Sequence, residues 1–281
     1  MIVKPKVIVV GSGIIGASVA LACQDLGAKV TVLEQGPLGG IASDKSFGWI
    51  NASFAENQAY FDLRKMALGS FHALGNRLTL VDYMRWQGAL WWEDEGHDLV
   101  EQFSSLSSRG YPASIIGQDQ IKVLEPHLLK APRQAILTTT EGAAEAQKVA
   151  MAILAEVEHN GGYVRCGVSL KGISQRMGRI CSVQTAAGDM ACDAVVLATG
   201  AAARNALLGL DWKLPMANKL GLTLKTNAIP LVLNHTLMTP DVHFRQNSDG
   251  SFTAGEIFSG QIDPNANPMD LAMDVLARIQ I

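Results

Sequence analysis

Residues 7–35 have the sequence VIVVGSGIIGASVALACQDLGAKVTVLEQ. The apolar, β-branched run at 6–10 is typical of a strand that is buried on both faces of a parallel sheet. A glycine-containing loop at 11–16 follows, and apolar residues then recur at helical spacing up to Gly27, which favours the end of a helix. A second apolar strand ends at Glu34. This order of strand, loop, helix and strand predicts a βαβ unit.

The glycines and the acid of this unit predict a site for a dinucleotide. Gly11 allows a tight turn, Gly13 leaves room for a pyrophosphate, and Gly16 lets the helix approach the strand. The free N–H groups at the helix N-terminus favour the negative charge of the phosphates. Glu34 lies near the spacing of about 20 residues at which an acid binds ribose hydroxyls, and its charge disfavours a 2′-phosphate. The candidate cofactor residues of this unit are Gly11, Ser12, Gly13, Ile14, Ile15, Gly16, Glu34 and Gln35.

The segment after Glu34 favours a flavin over a nicotinamide. A nicotinamide dehydrogenase would continue with another helix and a third strand, whereas QGPLGGIASDKSFGWINASF at 35–54 has no helical period. Residues suited to complete the sheet return only at 161–170 and at 193–203. A nicotinamide enzyme is therefore the less favoured alternative.

Taken together, these segments resemble the D-amino-acid-oxidase-like family of flavoproteins, which includes glycine oxidase, sarcosine oxidase and D-amino-acid dehydrogenase. The resemblance rests on the glycine loop with its acid, on GGIASDKSFGW at 39–49, on 141–170 and on VVLATG at 195–200. It implies FAD as the cofactor. It also implies oxidation of the C–N bond of a small amino acid or secondary amine, of the D-amino acid, glycine or sarcosine type, by hydride transfer to flavin N5.

The same resemblance implies further cofactor residues. The loop around Ser43 would pass beneath the flavin pyrophosphate and ribityl chain, and the backbone at Val168 would hold the adenine. The turn at Thr199 would close over the adenosine side. The residues that take these roles are Ala42, Ser43, Lys45, Ser46, Phe47, Gly48, Val168, Thr199 and Gly200.

His243 and Arg245 are the candidates for binding the substrate. They lie on the predicted strand DVHFRQ, where the family often places a substrate-contacting side chain, and their spacing of two puts them on one face. The arginine could hold a carboxylate by two hydrogen bonds and the histidine by one. The alternative is that both are surface residues of an ordinary hairpin. The sequence assigns no catalytic residue and predicts no metal site, because histidines and acids at ligand spacing are lacking.

The cofactor and substrate segments are expected to alternate along the chain. Residues 1–50 and 141–212 should form a Rossmann-like FAD-binding domain of the glutathione-reductase-like flavoprotein type. Residues 51–140 and 213–281 should form an α+β substrate domain. The fold class is therefore α/β, with an interleaved second domain.

Periodicity and turn residues predict the other elements. The segment 168–200 should form three strands, with turns at Met177-Gly178 and Gly188-Asp189. Further strands are expected at 219–226 and 241–257. Helices are predicted at 57–78, 98–110, 138–162 and 267–281.

Composition excludes several classes of protein. The 281 residues are 48% hydrophobic and carry a net charge of −3, so no basic field attracts nucleic acid. The sequence contains no uninterrupted run of about 18 apolar residues, so no membrane span is predicted. The four cysteines lack metal-site spacing, and their apolar or small neighbours indicate reduced, mostly buried thiols of a cytoplasmic protein.

Members of the family extend beyond the helix at which this chain stops. The additional part carries an RP pair that supplies a substrate arginine and a glycine-rich turn that covers the isoalloxazine, and neither pattern occurs here. We therefore expect a chain that is C-terminally truncated relative to the family. The alternative function is a catalytically incomplete FAD-binding fragment or subunit that needs a further segment or partner chain. The expected partners of the chain are the small amino-acid or amine substrate and either further copies of the same chain or a partner subunit.

Overall fold

The computed structural model describes residues 4–92, 99–203, 214–216, 221–255, 262–263, 265–279 and 281. In chain order, the strands are β1 (Lys6–Val10), β2 (Lys29–Leu33), β3 (Trp49–Ile50), β4 (Met84–Arg85), β5 (Ala89–Trp91), β6 (Ala113–Gly117), β7 (Gln134–Thr138), β8 (Gly142–Ala144), β9 (Tyr163–Arg165), β10 (Leu170–Arg176), β11 (Arg179–Thr185), β12 (Gly188–Ala191), β13 (Ala194–Leu197), β14 (Leu224–Ala228), β15 (Thr236–Met238), β16 (His243–Gln246) and β17 (Ser251–Gly255). The helices are α1 (Ile14–Asp25), α2 (Ile41–Asp44), α3 (Gln58–Leu78), α4 (Leu99–Ser108), α5 (Gln118–Leu124), α6 (Ala146–His159) and α7 (Pro268–Arg278).

The chain divides into two compact units, each made of two segments. Unit 1 consists of residues 1–46 and 145–218, and unit 2 consists of residues 47–144 and 219–281. The predicted domains change after residues 50, 140 and 212, whereas the units change after residues 46, 144 and 218. Residues 212, 218 and 219 lie outside the described residues. The roles assigned to the two domains stay predictions.

Unit 1 is built on a parallel sheet of four strands in the order β13-β1-β2-β9. Val7 pairs with Val30 on one side and with Ala194 on the other. The apolar run of β1 lies at the centre of the sheet, which explains why Ile8 and Val9 are both buried although they point to opposite faces.

Helices and an antiparallel sheet cover this parallel sheet. Helices α1 and α6 pack together, and the Gln24 side chain donates a hydrogen bond of 3.0 Å to the carbonyl of Val157. The antiparallel sheet β10-β11-β12 contributes Val183 to a core cluster that also contains Ile8 and Leu33 of the parallel sheet. The parallel sheet expected of a Rossmann-like domain is present.

Three details of the secondary structure differ from prediction. Segment 35–54, expected to lack a helix, contains the single turn α2. Four strands rather than three lie in 168–200, because the turn before β12 falls at Ala186 and Ala187 and a further break separates β12 from β13. The predicted helix at 138–162 begins only at Ala146, since Gly142–Ala144 pairs as a strand. Residues 219–220 and 256–257 of two predicted strands lie outside the described residues.

The expectation of mostly buried cysteines is wrong for two of the four. All four are free thiols, and Cys192 is buried in the core cluster beside Val183. Cys166 is exposed in the turn after β9, and Cys181 is exposed where the register between β10 and β11 shifts. Small or apolar neighbours in sequence do not reveal such turns and irregularities.

Unit 2 contains a seven-stranded mixed sheet in the order β14-β17-β16-β15-β5-β7-β6. Of its pairs, β15 with β5 is parallel and the others are antiparallel. The core on this sheet includes Leu90 and Phe244 from the strands, Ile121 from α5 and Val275 from α7. A smaller antiparallel sheet has the order β3-β8-β4. None of the described helices is long and apolar enough to cross a membrane.

Replacing Gly16 with alanine should lower the free energy of unfolding of unit 1 by at least about 2 kcal/mol. The added Cβ would lie 1.9 Å from the carbonyl oxygen of Gly11, so the backbone would have to move. Urea unfolding measures the effect. Gly69→Ala in α3 is the matched control, because nothing lies within 4 Å of its added Cβ and alanine should stabilise the helix by about 0.5–1 kcal/mol. Equal stability of Gly16→Ala and the parent would contradict this close packing.

Candidate functional site

The parallel strands of unit 1 place most of the predicted cofactor residues at one edge of the sheet. Strands β1, β2, β9 and β13 all end at this edge, so the segments that follow them lie together. The N–H of Gly11 donates to the carbonyl of Leu33 (2.8 Å), and the N–H of Val168 donates to the carbonyl of Glu34 (2.9 Å). The glycine loop, Glu34, Val168 and the turn at Thr199 are therefore neighbours.

The three glycines of the first loop differ in what surrounds them. Gly11 has φ +107°, and a Cβ there would lie 2.3 Å from the carbonyl oxygen of Ala198. A Cβ on Gly16 would likewise lie 1.9 Å from the carbonyl oxygen of Gly11. Around Gly13, by contrast, the nearest atom to an added Cβ is the Ser43 hydroxyl at 3.3 Å. Gly11 and Gly16 are thus required by contacts with backbone atoms, whereas Gly13 is less enclosed, since its nearest neighbour is a side-chain hydroxyl.

A second glycine loop lies against the first. Gly40 has φ +74°, and a Cβ on it would lie 2.6 Å from the Cα of Gly13. The buried Ser43 hydroxyl on α2 accepts a hydrogen bond from the N–H of Ile14 at 3.0 Å, in the first turn of α1. The single turn of α2 therefore fixes the second loop on the N-terminus of α1.

The carboxylate of Glu34 holds the first loop in place. Its Oε2 accepts from the N–H (2.9 Å) and the hydroxyl (2.8 Å) of Ser12, and its Oε1 accepts from the N–H of Gly36 (2.9 Å). Burial alone would raise the pKa of Glu34, but the hydrogen bonds from Gly36 and Ser12 outweigh it and lower the pKa. The backbone of Gln35 also interacts with this carboxylate. The contact of Glu34 with a ribose stays a prediction.

Ser12 connects three parts of this arrangement. It is fully buried, and its hydroxyl donates to Glu34 while accepting the N–H of Gly39 at 3.1 Å. The sequence included Ser12 among the cofactor residues only as part of the loop. A hydroxyl between the two glycines, followed 22 residues later by the acid, is the signal that could have revealed its role.

Two observations fit a dinucleotide at this edge. The Thr199 hydroxyl is buried, and no described residue is within hydrogen-bonding distance of it. The N-cap of α1, Gly13, provides no side-chain cap, so the start of this helix is suited to an external anion. Together with the space at Gly13, these features match the phosphates and sugar of an ADP moiety.

The remaining predicted cofactor residues have different surroundings. Lys45 forms an ion pair of 2.7 Å with Asp44, and both are exposed. Phe47 is buried and, with Gly48, belongs to unit 2, whereas Ser46 belongs to unit 1. The other exposed candidates are Ile15, Gln35, Ala42 and Gly200.

The two predicted substrate residues lie on β16 of unit 2, paired with β17. His243 is half-buried, and Arg245 is only 3% exposed. The alternative of two surface residues is therefore wrong for Arg245. Its guanidinium donates to the backbone carbonyls of Phe47 and Ala144. Whether either residue binds a substrate stays a prediction.

Sequence reasoning missed a buried acid in unit 2. Glu141 is completely buried and accepts hydrogen bonds from the hydroxyls of Ser53, Tyr111 (2.7 Å) and Thr138 (2.9 Å). Burial raises the pKa of Glu141, and burial beside this carboxylate raises the pKa of Tyr111. The network joins the segment after β3 to the start of β8, and its partners are too far apart in sequence to be recognised from a local pattern.

At pH 7, Glu34→Gln should lower the free energy of unfolding by about 1–3 kcal/mol, because its amide nitrogen cannot accept the loop's donors. The pKa of Glu34 lies below its ordinary value of 4.5, so its stabilising contribution is present above this value and is lost as the pH falls through the lowered pKa. The difference between parent and variant should therefore shrink on acidification. Urea unfolding at several pH values measures it, with Glu158→Gln on the exposed face of α6 as the control. A difference independent of pH would contradict the assignment.

Several solved structures share this fold. L-amino acid deaminase from Proteus vulgaris matches with a TM-score of 0.80 and 19% identity, over 90% of this chain and 60% of that one. L-proline dehydrogenase from P. horikoshii matches with a TM-score of 0.85 and 19% identity, over 98% and 75%. Glycine oxidase from Geobacillus kaustophilus matches with a TM-score of 0.85 and 20% identity, over 98% and 77%. This chain thus spans about three fifths to three quarters of their lengths.

Comparison with curated proteins gives no match. The profile of a protein family, described as FAD dependent oxidoreductase, matches residues 6–280. The match covers both units, including the glycine loops and the strand that carries His243. The cofactor of this family is FAD. Since the profile extends over nearly the whole sequence, the chain belongs to the DAO family of FAD dependent oxidoreductases.

Proposed function

We propose that this chain oxidises the C–N bond of a small amino acid or secondary amine, of the D-amino acid, glycine or sarcosine type. The observation that carries the proposal is the pair of interlocked glycine loops, which leaves space at Gly13 beside the N-terminus of α1. FAD, when bound, supplies the acceptor at N5 for the hydride that leaves the substrate α-carbon. The resulting imine is hydrolysed in water.

The residues of unit 1 would hold the ADP part of FAD. The N-terminus of α1 would bind the diphosphate through amides other than that of Ile14, which donates to Ser43, with Gly13 allowing the close approach. Glu34, already oriented by Ser12 and Gly36, would accept hydrogen bonds from ribose hydroxyls. The Thr199 hydroxyl, which has no partner among the described residues, would bond to the adenosine side.

The substrate class is supported by less direct evidence. L-amino acid deaminase and glycine oxidase, which share the fold, are named for amino-acid substrates. In unit 2, we propose that His243 contacts the carboxylate of a substrate of this class. Arg245 was predicted for the same role.

A second candidate function is an FAD-binding fragment or subunit that needs a further segment or partner chain for catalysis. The observation that favours it is the coverage of 60% to 77% of the related chains. We also propose that the chain assembles with copies of itself or with a partner subunit, and that it is located in the cytoplasm. Both candidate functions require FAD at the same residues.

Replacing Gly13 with valine should abolish retention of FAD while the protein still folds. The added side chain would fill the space proposed for the diphosphate, and its Cβ would meet the Ser43 hydroxyl at 3.3 Å, so only a side-chain atom would have to shift slightly. Titration of the apoprotein with FAD, followed by flavin fluorescence, measures binding, and urea unfolding measures stability. Gly117→Val is the matched control, because Gly117 is the N-cap of α5 with a similarly extended backbone and nothing lies within 4 Å of an added Cβ. Unchanged FAD affinity in Gly13→Val would refute the placement of the site.

Anaerobic reduction distinguishes the two candidate functions. The purified chain should be yellow, and a substrate of the proposed class should bleach it, because hydride transfer reduces the flavin. D-alanine, glycine and sarcosine are the probes, and L-lactate is the control that lacks a C–N bond. Bleaching supports the oxidoreductase, whereas stable FAD binding without bleaching by any amine supports the fragment or subunit. A colourless protein that binds no added FAD would contradict both.

A further inference from the structure

Arg245 occupies a buried position at which its guanidinium group is held on several sides. Its Nε donates to the carbonyl of Phe47 at 2.6 Å, and its Nη2 donates to the carbonyl of Ala144 at 3.1 Å. Its Nη1 donates to the side-chain oxygen of Asn247. The guanidinium carbon also lies 5.8 Å from the centroid of the Phe47 ring. The arginine therefore connects β16 with two distant segments of unit 2.

The two carbonyls that Arg245 binds stand at special points of the chain. Phe47 is the first residue of unit 2, and Ala144 is the last residue of its first segment. Directly beside them, the N–H of Ala144 donates to the carbonyl of Gly48 at 2.8 Å, and β3 pairs with β8. Gly48 has φ +70°, and a Cβ there would lie 2.0 Å from the carbonyl oxygen of Ala144. Arg245 thus stabilises the place where the segment at Phe47 and Gly48, which leads into β3, lies beside Ala144 at the end of β8.

The N–H groups of Arg245 that bond to backbone carbonyls are the ones with which an arginine could bind a carboxylate. An arginine commonly grips a carboxylate with two parallel N–H groups of its planar fork. Here Nε and Nη2 each bond to a backbone carbonyl instead. Asn247 is itself oriented by hydrogen bonds to the hydroxyls of Ser251 (2.9 Å) and Thr253 (3.0 Å), so its oxygen remains directed at the arginine. These contacts hold the guanidinium in one orientation.

We propose that Arg245 is a positioning residue for FAD rather than the residue that grips the substrate carboxylate. By holding the carbonyl of Phe47, it fixes the end of the loop from Ala42 to Gly48, whose residues are proposed to support the flavin. This inference rests on the proposed function only for the identity of the group that the loop supports. The fixing of Phe47, Gly48 and Ala144 by Arg245 is a property of unit 2 itself.

The test compares Arg245→Lys with the parent. Lysine keeps the charge but cannot reach both carbonyls with a planar fork, so the Kd for FAD should rise roughly tenfold or more. At saturating FAD, the visible circular dichroism of the flavin should also change, because the loop is displaced. The KM for an amine substrate at saturating FAD should stay within about twofold of the parent, since no substrate contact is lost.

Two further variants guard against a simple loss of folding. Asn247→Ala leaves both carbonyl contacts in place and should raise the Kd for FAD in the same direction but by less, roughly threefold. His243→Asn, at the proposed substrate contact, should raise the KM and leave the Kd for FAD unchanged. An unchanged Kd and flavin dichroism in Arg245→Lys, together with a raised KM, would overturn the proposal in favour of carboxylate binding.

Hydrogen exchange of the apoprotein separates this proposal from the proposed function. The amide of Ala144, bonded to Gly48, should exchange at least about tenfold faster in Arg245→Lys, while amides of the remote strand β6 keep their rates. This readout needs no FAD. If the parent binds no FAD, the proposed function fails, and faster exchange at Ala144 still supports the anchoring role. Unchanged exchange at Ala144 would overturn that role.

Discussion

The structure of unit 1 depends on one constraint, the absence of side-chain atoms where α1 meets the ends of β1 and β13. Gly11 lies between Leu33, to which its N–H donates, and the carbonyl of Ala198, and Gly16 lies directly over Gly11. A Cβ at either glycine would overlap a backbone oxygen. Because the helix can approach so closely, its N-terminal amides reach the edge of the sheet where the other loops converge.

Negative charge is distributed over this edge in a way that suits a diphosphate on one side and sugar hydroxyls on the other. The first turn of α1 contains no acidic residue, and its N-cap is a glycine. Glu34 lies on the neighbouring strand end, where Ser12 and Gly36 satisfy part of its carboxylate. The same acid thus orders the glycine loop and, under the proposed function, would also accept hydrogen bonds from the ribose. Ser12 makes these two tasks dependent on each other.

The sequence predicted unit 1 better than unit 2. The order of glycines, apolar runs and acid is local, so β1, α1, β2 and the loop between them could be recognised directly. The short strands β7 and β8 were missed, because each contains three to five residues and pairs with β5 or β3, far away along the chain. Glu141 and Arg245 show the same limit. Glu141 is bonded to Tyr111, and Arg245 is bonded to Phe47. These partners lie 30 and 198 residues away along the chain, so a local periodic pattern cannot predict the contacts.

The pairing of β3 with β8 has a consequence for the order in which the chain folds. In unit 1, Thr31 of β2 pairs with Tyr163 of β9, and the whole segment 47–144 lies between them. Closing so long a loop in an unfolded chain carries an entropic penalty and slows folding. Once β3 and β8 pair, the two ends of the inserted segment are adjacent, and the chain between β2 and β9 outside that pair is reduced to residues 34–48 and 145–162. Formation of this small sheet therefore lowers the closure entropy that remains for pairing β2 with β9.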